Sequence, residues 1–295
     1  MCRLFAQISP TPASAEDFLV SSEFSLLKQS DFNKKNLQED GWGIAYFGNK
    51  NEPVVSKSSE AIFKEKEKFA RAAHAVRAKV VIGHIRAASN PRGIAKDKLI
   101  NMENSQPYTD GRWIFAHNGT LQIPEEIAEN LGALRKNVKS LNDSEVYFWQ
   151  FIKHYGNTKD PAEALEACIR ENWSVWERCK QKHPEKKTPY TSLNVLLSDG
   201  SGLYAFCHAV HQGLAGCGVC NPTQPWNIMS WTERQEPGAA QRLIAGSENL
   251  DRGLWTRFSQ PELLSVEIRS GKLDINRRLL DLALPRPIEK PRPLS

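Results

Sequence analysis

Met1-Cys2-Arg3-Leu4-Phe5-Ala6-Gln7-Ile8 places a cysteine directly behind the initiator methionine and an apolar run behind the cysteine. A cysteine side chain is small enough to permit methionine removal. Once Met1 is gone, the α-amino group sits beside its own thiol. An α-amine titrates near pKa ~8 and a thiol near ~8.5. The neutral amine can then take the thiol proton at physiological pH, directly or through one water. Nucleophile and base come from one residue, as in N-terminal threonine catalysis. The plain alternative is a cysteine that happens to stand second. In either case Cys2 to Ile8 reads as a first strand, with Pro10 and Pro12 expected to stop it.

Outward from that strand the chain alternates strand and helix signals. Gly41 to Phe47 is a second apolar run. Ser59 to Ala78 has helical period, with Ile62, Phe69, Ala73 and Val76 on one face. Val80 to Ile85 reads as a buried strand and Trp113 to Ala116 as another. Asp160-Pro161-Ala162-Glu163 opens a helix with a cap, a first-position proline and a box glutamate. Leu193 to Leu197 and Leu203 to Phe206 flank Ser198-Asp199-Gly200-Ser201-Gly202, a hairpin signal. Leu263 to Ile268 followed by Ser270-Gly271 predicts a second hairpin. With no internal repeat and no linker, residues 2–280 are expected to form one domain of two sheets with flanking helices. Residues 281–295 are expected to be a proline-rich tail.

Composition narrows the classes. The 295 residues are 40% hydrophobic and 25% charged, the range of a globular protein. The net charge of +5 is spread among mixed acids and bases, so no nucleic-acid stripe is expected. No apolar stretch approaches membrane-spanning length, and the N-terminus lacks a basic region followed by an apolar core, so no signal peptide is expected. Six cysteines in a chain this long suggest no disulfide framework, so a reducing cytoplasm is the expected location.

Four further segments carry chemistry. Asp40-Gly41-Trp42-Gly43 sets two glycines around an aromatic, which allows close backbone approach to a neighbour. The N-terminal cysteine is one candidate neighbour; a plain turn is the alternative. Gly83-His84-Ile85-Arg86-Ala87-Ala88-Ser89 ends a buried strand with an arginine, able to clamp a carboxylate by two parallel bonds or simply to face solvent. Phe115-Ala116-His117-Asn118-Gly119-Thr120 ends another strand. The Asn118 amide and the Gly119 N–H can form an oxyanion hole, or the pair can be an Asn-Gly turn. In Asn142-Asp143-Ser144-Glu145, Asp143 suits either a helix cap or the ammonium of an amino-acid substrate. Taken together, these segments describe a pocket for an α-amino acid with a carbonyl at its far end. Cys2 attacks that carbonyl.

Cys2-Arg3-Leu4, Asp40-Gly41-Trp42-Gly43, His84-Ile85-Arg86-Ala87, His117-Asn118-Gly119 and Asp143-Ser144-Glu145 occur in the order found in one family. The chain resembles class II glutamine amidotransferases, which are N-terminal-nucleophile hydrolases. Within them it resembles the stand-alone YafJ-like branch, which includes the γ-glutamyl amidohydrolases of ergothioneine biosynthesis. Asn194 to Asp199 and Ala245-Gly246-Ser247-Glu248 extend the likeness over most of the chain. The resemblance implies an α+β fold, a four-layer αββα sandwich of two mostly antiparallel sheets. It also implies thioester chemistry on Cys2 with no cofactor and no metal. By the motif match, Arg86 and Asp143 would bind the glutamate part, assisted by Ser89. Asn118 and Gly119 would form the oxyanion hole. Asp40, Gly41, Trp42, Gly43 and His117 would shape the pocket.

Two positions depart from the family pattern. Asn90 follows Ser89 where the hexosamine-synthase branch has histidine. Gln106-Pro107 replaces the usual histidine-proline pair. Both spare the nucleophile and the oxyanion donors but leave the acceptor side of the pocket, and hence the substrate, undecided. A rival site exists in Cys207, His211, Cys217 and Cys220, which could close a tetrahedral zinc site or simply be core and loop residues. Three functions follow: a γ-glutamyl amide hydrolase acting alone on a small molecule, a glutaminase subunit passing ammonia to a synthase, or a non-enzymatic relative that binds γ-glutamyl compounds or partners. Homo-oligomerisation is open.

Overall fold

The computed structural model describes residues 2–34, 37–210, 218–235 and 240–282. Its strands are β1 (Arg3–Ser14), β2 (Trp42–Phe47), β3 (Pro53–Ser58), β4 (Arg77–Ile85), β5 (Tyr108–Thr109), β6 (Ile114–Leu121), β7 (Tyr190–Ser198), β8 (Gly202–Cys207), β9 (Ser230–Arg234), β10 (Arg242–Gly246), β11 (Thr256–Arg257), β12 (Glu262–Arg269) and β13 (Lys272–Leu279). One sheet runs β11-β9-β10-β1-β4-β2-β3 and the other β13-β12-β8-β7-β6-β5. Every pairing between these strands is antiparallel. The helices are α1 (Leu26–Gln29), α2 (Lys66–His74), α3 (Lys96–Leu99), α4 (Pro124–Glu129), α5 (Asp143–Thr158) and α6 (Pro161–Cys179).

Side-chain alternation sorts the residues into layers. Leu4, Ala6, Ile8, Val80 and Ile82 of the first sheet face Ile114, Ala116, Leu196 and Ala205 of the second. The opposite face of the first sheet, with Phe5, Val81 and Ile85, packs under Phe69 and Ala73 of α2. The opposite face of the second, with Phe115, Val195 and Phe206, packs under Phe148 and Phe151 of α5 and Leu165 and Ile169 of α6. The result is the expected αββα sandwich. Val80 to Ile85 is almost continuously apolar because both of its faces are covered.

Several local expectations need correction. Strand β1 does not stop at Pro10 and Pro12. It continues to Ser14, and its register with β4 shifts between Ile8 and Ala13, so the prolines fall where pairing is interrupted and the side chains are partly exposed. The helical period over Ser59 to Ala78 yields a helix only from Lys66, and residue 77 already begins β4. Ile62, Phe69, Ala73 and Val76 nevertheless share one cluster, because the turn before α2 folds onto the same sheet face. Helix α6 starts as expected, with Asp160 Oδ1 accepting from Glu163 N at 3.0 Å and Pro161 in the first turn. The β12–β13 turn has positive φ at both Ser270 and Gly271, the geometry of a tight hairpin. Of the expected tail, residues 283–295 lie outside the described residues.

Candidate active site

Strand β1 is central in its sheet, and Cys2 immediately precedes it on the side-chain face that points at the second sheet. Across the gap, β6 carries Asn118 on its inward face. Cys2, Ala87, Ala88, Ser89, Asn118, Gly119, Thr120, Thr191 and Trp226 line one cavity of about 280 Å³. The thiol lies 3.6 Å from the Ala87 carbonyl oxygen. Burial pushes its pKa up, against the pull of the positive chain terminus and of Arg86. A thiol held protonated at rest needs a base.

Asn118 and Gly119 are not a strand-ending turn. Both sit inside β6, opposite Asn194 and Leu193 of β7, and the register slips only between Gly119 and Leu121. Gly119 is required sterically. A Cβ there would lie 1.9 Å from the Ser192 carbonyl oxygen and 2.6 Å from His117 Nε2. Asn118 is held from both ends. Its carbonyl accepts from Ser192 Oγ at 3.0 Å, and its Nδ2 donates to Ser247 Oγ at 3.2 Å. An amide nitrogen has two hydrogens, so one remains for a developing oxyanion.

His117 points the other way, into the layer under α5, and lines no part of the Cys2 cavity. Gln106 Nε2 donates to Ser144 Oγ at 3.3 Å, Ser144 Oγ lies 3.0 Å from His117 Nδ1, and His117 Nε2 lies 3.1 Å from the Ser192 carbonyl. The carbonyl can only accept, so Nε2 carries the proton and Nδ1 accepts from Ser144. Burial lowers the His117 pKa to about 4. The ring is therefore neutral at pH 7 and braces the strand beneath Asn118 and Gly119. Gln106 also accepts from His117 N at 2.6 Å and donates to His117 O at 3.1 Å. Its side chain acts as a surrogate strand, which gives the departure at this position a structural role.

Asp40-Gly41-Trp42-Gly43 acts indirectly. Asp40 Oδ2 accepts from Ala88 N at 2.8 Å, fixing the cavity wall that follows β4. The close approaches of the glycines are not to Cys2. A Cβ on Gly41, whose φ is +119°, would meet Ser58 O at 2.7 Å; one on Gly43 would meet Gln106 O at 2.2 Å. Trp42 is buried against Phe69 and donates to Glu65 at 3.0 Å.

Arg86 and Asp143 are each 2% exposed and do not line the cavity, though both act on the charge of Cys2. Arg86 NH1 donates to Leu99 O at 2.8 Å. Asp143 is not the cap of α5. Asn142 takes that role by accepting from Ser144 N at 3.1 Å. Asp143 instead accepts from Leu121 N at 2.6 Å, and burial raises its pKa to about 6.

Sequence reasoning gave no role to Thr191, Trp226 or Ser247. Ser247 N donates to Leu4 O and its hydroxyl accepts from Leu4 N, both at 3.0 Å, so it fastens the start of β1. Beside it, Glu248 pairs with Arg3 at 3.0 Å, both fully buried, and accepts from the backbone of Val219, Cys220 and Asn221. The small residues of Ala245-Gly246 before a Ser-Glu pair were the available signal. Of the rival zinc set, Cys207 is a core residue facing the other sheet, with its thiol 3.7 Å from Asn227 O. Cys220 is buried beside Glu248, and its thiol is pushed up to about 12. Among the described residues neither joins a metal-ligand cluster; His211 and Cys217 lie outside them.

The layered fold has counterparts among solved structures. The structure of a glutamine aminotransferase class-II domain protein from Silicibacter pomeroyi superposes with TM-score 0.61 at 20% identity, over 95% of this chain and 100% of that one. Glutamine phosphoribosylpyrophosphate amidotransferase from Bacillus subtilis superposes with TM-score 0.57 at 15% identity, over 94% of this chain and 49% of that one. At those identities the likeness concerns the fold. The family profile of class II glutamine amidotransferases matches residues 1–266. The chain belongs to that family and is an enzyme of its class. Among curated proteins it is similar to γ-glutamyl-hercynylcysteine sulfoxide hydrolase of Mycolicibacterium smegmatis, 25% identical over 209 residues, covering 70% of this chain and 78% of that one. No helix among the described residues is long and apolar enough to cross a membrane.

Proposed function

We propose that this enzyme hydrolyses glutamine or a γ-glutamyl amide through a γ-glutamyl thioester on Cys2. After loss of Met1, the free Cys2 amine takes the thiol proton. Sulfur attacks the γ-carbonyl carbon, and the charge that develops on its oxygen is met by the Asn118 amide and the Gly119 N–H. The C–N bond breaks as the amine returns its proton to the leaving nitrogen. Water, deprotonated by the same amine, then attacks the thioester and releases glutamate and the thiol. Arg86 takes the substrate α-carboxylate, Asp143 its ammonium, and Ser89 assists the carboxylate. Arg86 and Asp143 do not line the cavity, but both act on the charge of Cys2, which keeps them within electrostatic range of a substrate bound there. No step requires a cofactor or metal. A reducing cytoplasm suits a free nucleophilic thiol.

The observation that supports this most is convergence. The cysteine of one sheet and the asparagine–glycine pair of the other line a single cavity. Glutamate release by the purified chain from glutamine and a γ-glutamyl panel, with Cys2→Ala as control, tests it. Turnover that appears only with cell extract would instead favour delivery of ammonia to a separate synthase.

A further inference from the structure

A second cavity of about 450 Å³ adjoins the Cys2 cavity. Thr191 is a wall of both. Two more chain segments pass from one to the other: Ser89 lines the inner cavity and Asn90 the outer, and Thr120 lines the inner and Gln122 the outer. The fourth wall of the outer cavity is the segment 185–188. An ammonia leaving group needs no such space. A substituted amine does.

The charge of that wall indicates which amine. Lys186 is only 14% exposed, and its ammonium is fixed by donating to Gln122 O at 2.7 Å and Pro91 O at 3.4 Å, two residues of the same cavity. Those bonds use two of its three hydrogens, so the ammonium is oriented before any ligand arrives. Two acids among the described residues act on Lys186: Glu185, 65% exposed and 3.9 Å away, and Glu126, which is engaged by His183 at 2.7 Å, so neither closes a tight pair with the ammonium. We infer that the outer cavity receives the leaving amine and selects γ-glutamyl amides whose leaving amine carries a carboxylate. The inference rests on the hydrolase reading of the Cys2 site.

The test compares γ-glutamyl-glutamate with the same compound whose two leaving-group carboxylates are carboxamides. The wild type should favour the acid in kcat/KM by at least about tenfold, the value of one hydrogen bond to a charged group. Added salt should shrink that ratio. Lys186→Met should bring it close to one, and Lys186→Arg, which keeps the charge, should preserve most of it. A wild-type ratio near one, or a ratio that Lys186→Met leaves unchanged, would overturn the inference while Cys2-dependent turnover upheld the hydrolase reading. No turnover of either compound or of glutamine, or turnover that survives in Cys2→Ala, would overturn both.

Discussion

The Asn118 amide on β6 donates at 3.2 Å to the hydroxyl of Ser247, which directly follows β10 of the other sheet, and the same hydroxyl accepts from Leu4 N, two residues beyond Cys2. Ser247 thus links the proposed oxyanion donor to the strand that carries Cys2. Its loss should mainly disorient Asn118. Ser247→Ala should lower kcat several-fold, as expected for a net hydrogen bond of about 1 kcal/mol, with KM nearly unchanged. Ser247→Thr should recover part of the loss. In a double-mutant cycle the effect should largely vanish in an Asn118→Ala background. Additive effects would show that Ser247 acts elsewhere.

Asn118→Ala itself should lower kcat by roughly a hundredfold, because its remaining hydrogen meets charge that exists only in the transition state. Arg86→Lys should chiefly raise KM, since lysine keeps the charge but loses the two-pronged geometry. Steady-state kinetics on the two variants would exchange the assigned roles if the pattern came out reversed.

Asp143 predicts a pH dependence. Its folded pKa is raised to about 6, so the carboxylate that would hold a substrate ammonium is ionised above that pH and neutral below it. KM for glutamine should therefore rise as pH falls through about 6. Asp143→Asn should show a high KM with no such step. A wild-type KM flat between pH 5 and 7 (about one pH unit either side of that midpoint) would remove Asp143 from substrate binding.

The Arg3–Glu248 pair carries stability. Both side chains are sealed from solvent, at 2% and 0% exposure, so removing one partner leaves an uncompensated buried charge. Glu248→Leu should cost about 3–5 kcal/mol in urea unfolding. Arg3→Met combined with Glu248→Leu should cost markedly less than Glu248→Leu alone. A loss below about 1 kcal/mol in the single variant would mean that water reaches Arg3.

Much of this was legible in the sequence because it depends on short-range pattern. Apolar alternation gave the strands, and Asp160-Pro161 gave the start of α6. Ordered motifs brought Cys2 together with Asn118 and Gly119. What stayed hidden depends on tertiary context. Pro10 and Pro12 break strands only if their amides are needed for pairing, and the register shift in β1 removes that need. Asn142 caps α5, while the Asp143 carboxylate is taken by Leu121 N of strand β6, a distant partner no local pattern shows. Gly41 and Gly43 announced close approach correctly, but only the folded chain shows that the neighbours are Ser58 and Gln106. Ser247 lies more than a hundred residues from Asn118, so no local spacing could join them.

The central claim is a γ-glutamyl thioester on an N-terminal cysteine. Its most direct test is mass spectrometry of active enzyme labelled with a glutamine-like electrophile. The expected result is one adduct, on a peptide whose first residue is Cys2, with complete loss of activity. An adduct on any other cysteine, or full activity in a population that retains Met1, would contradict the mechanism.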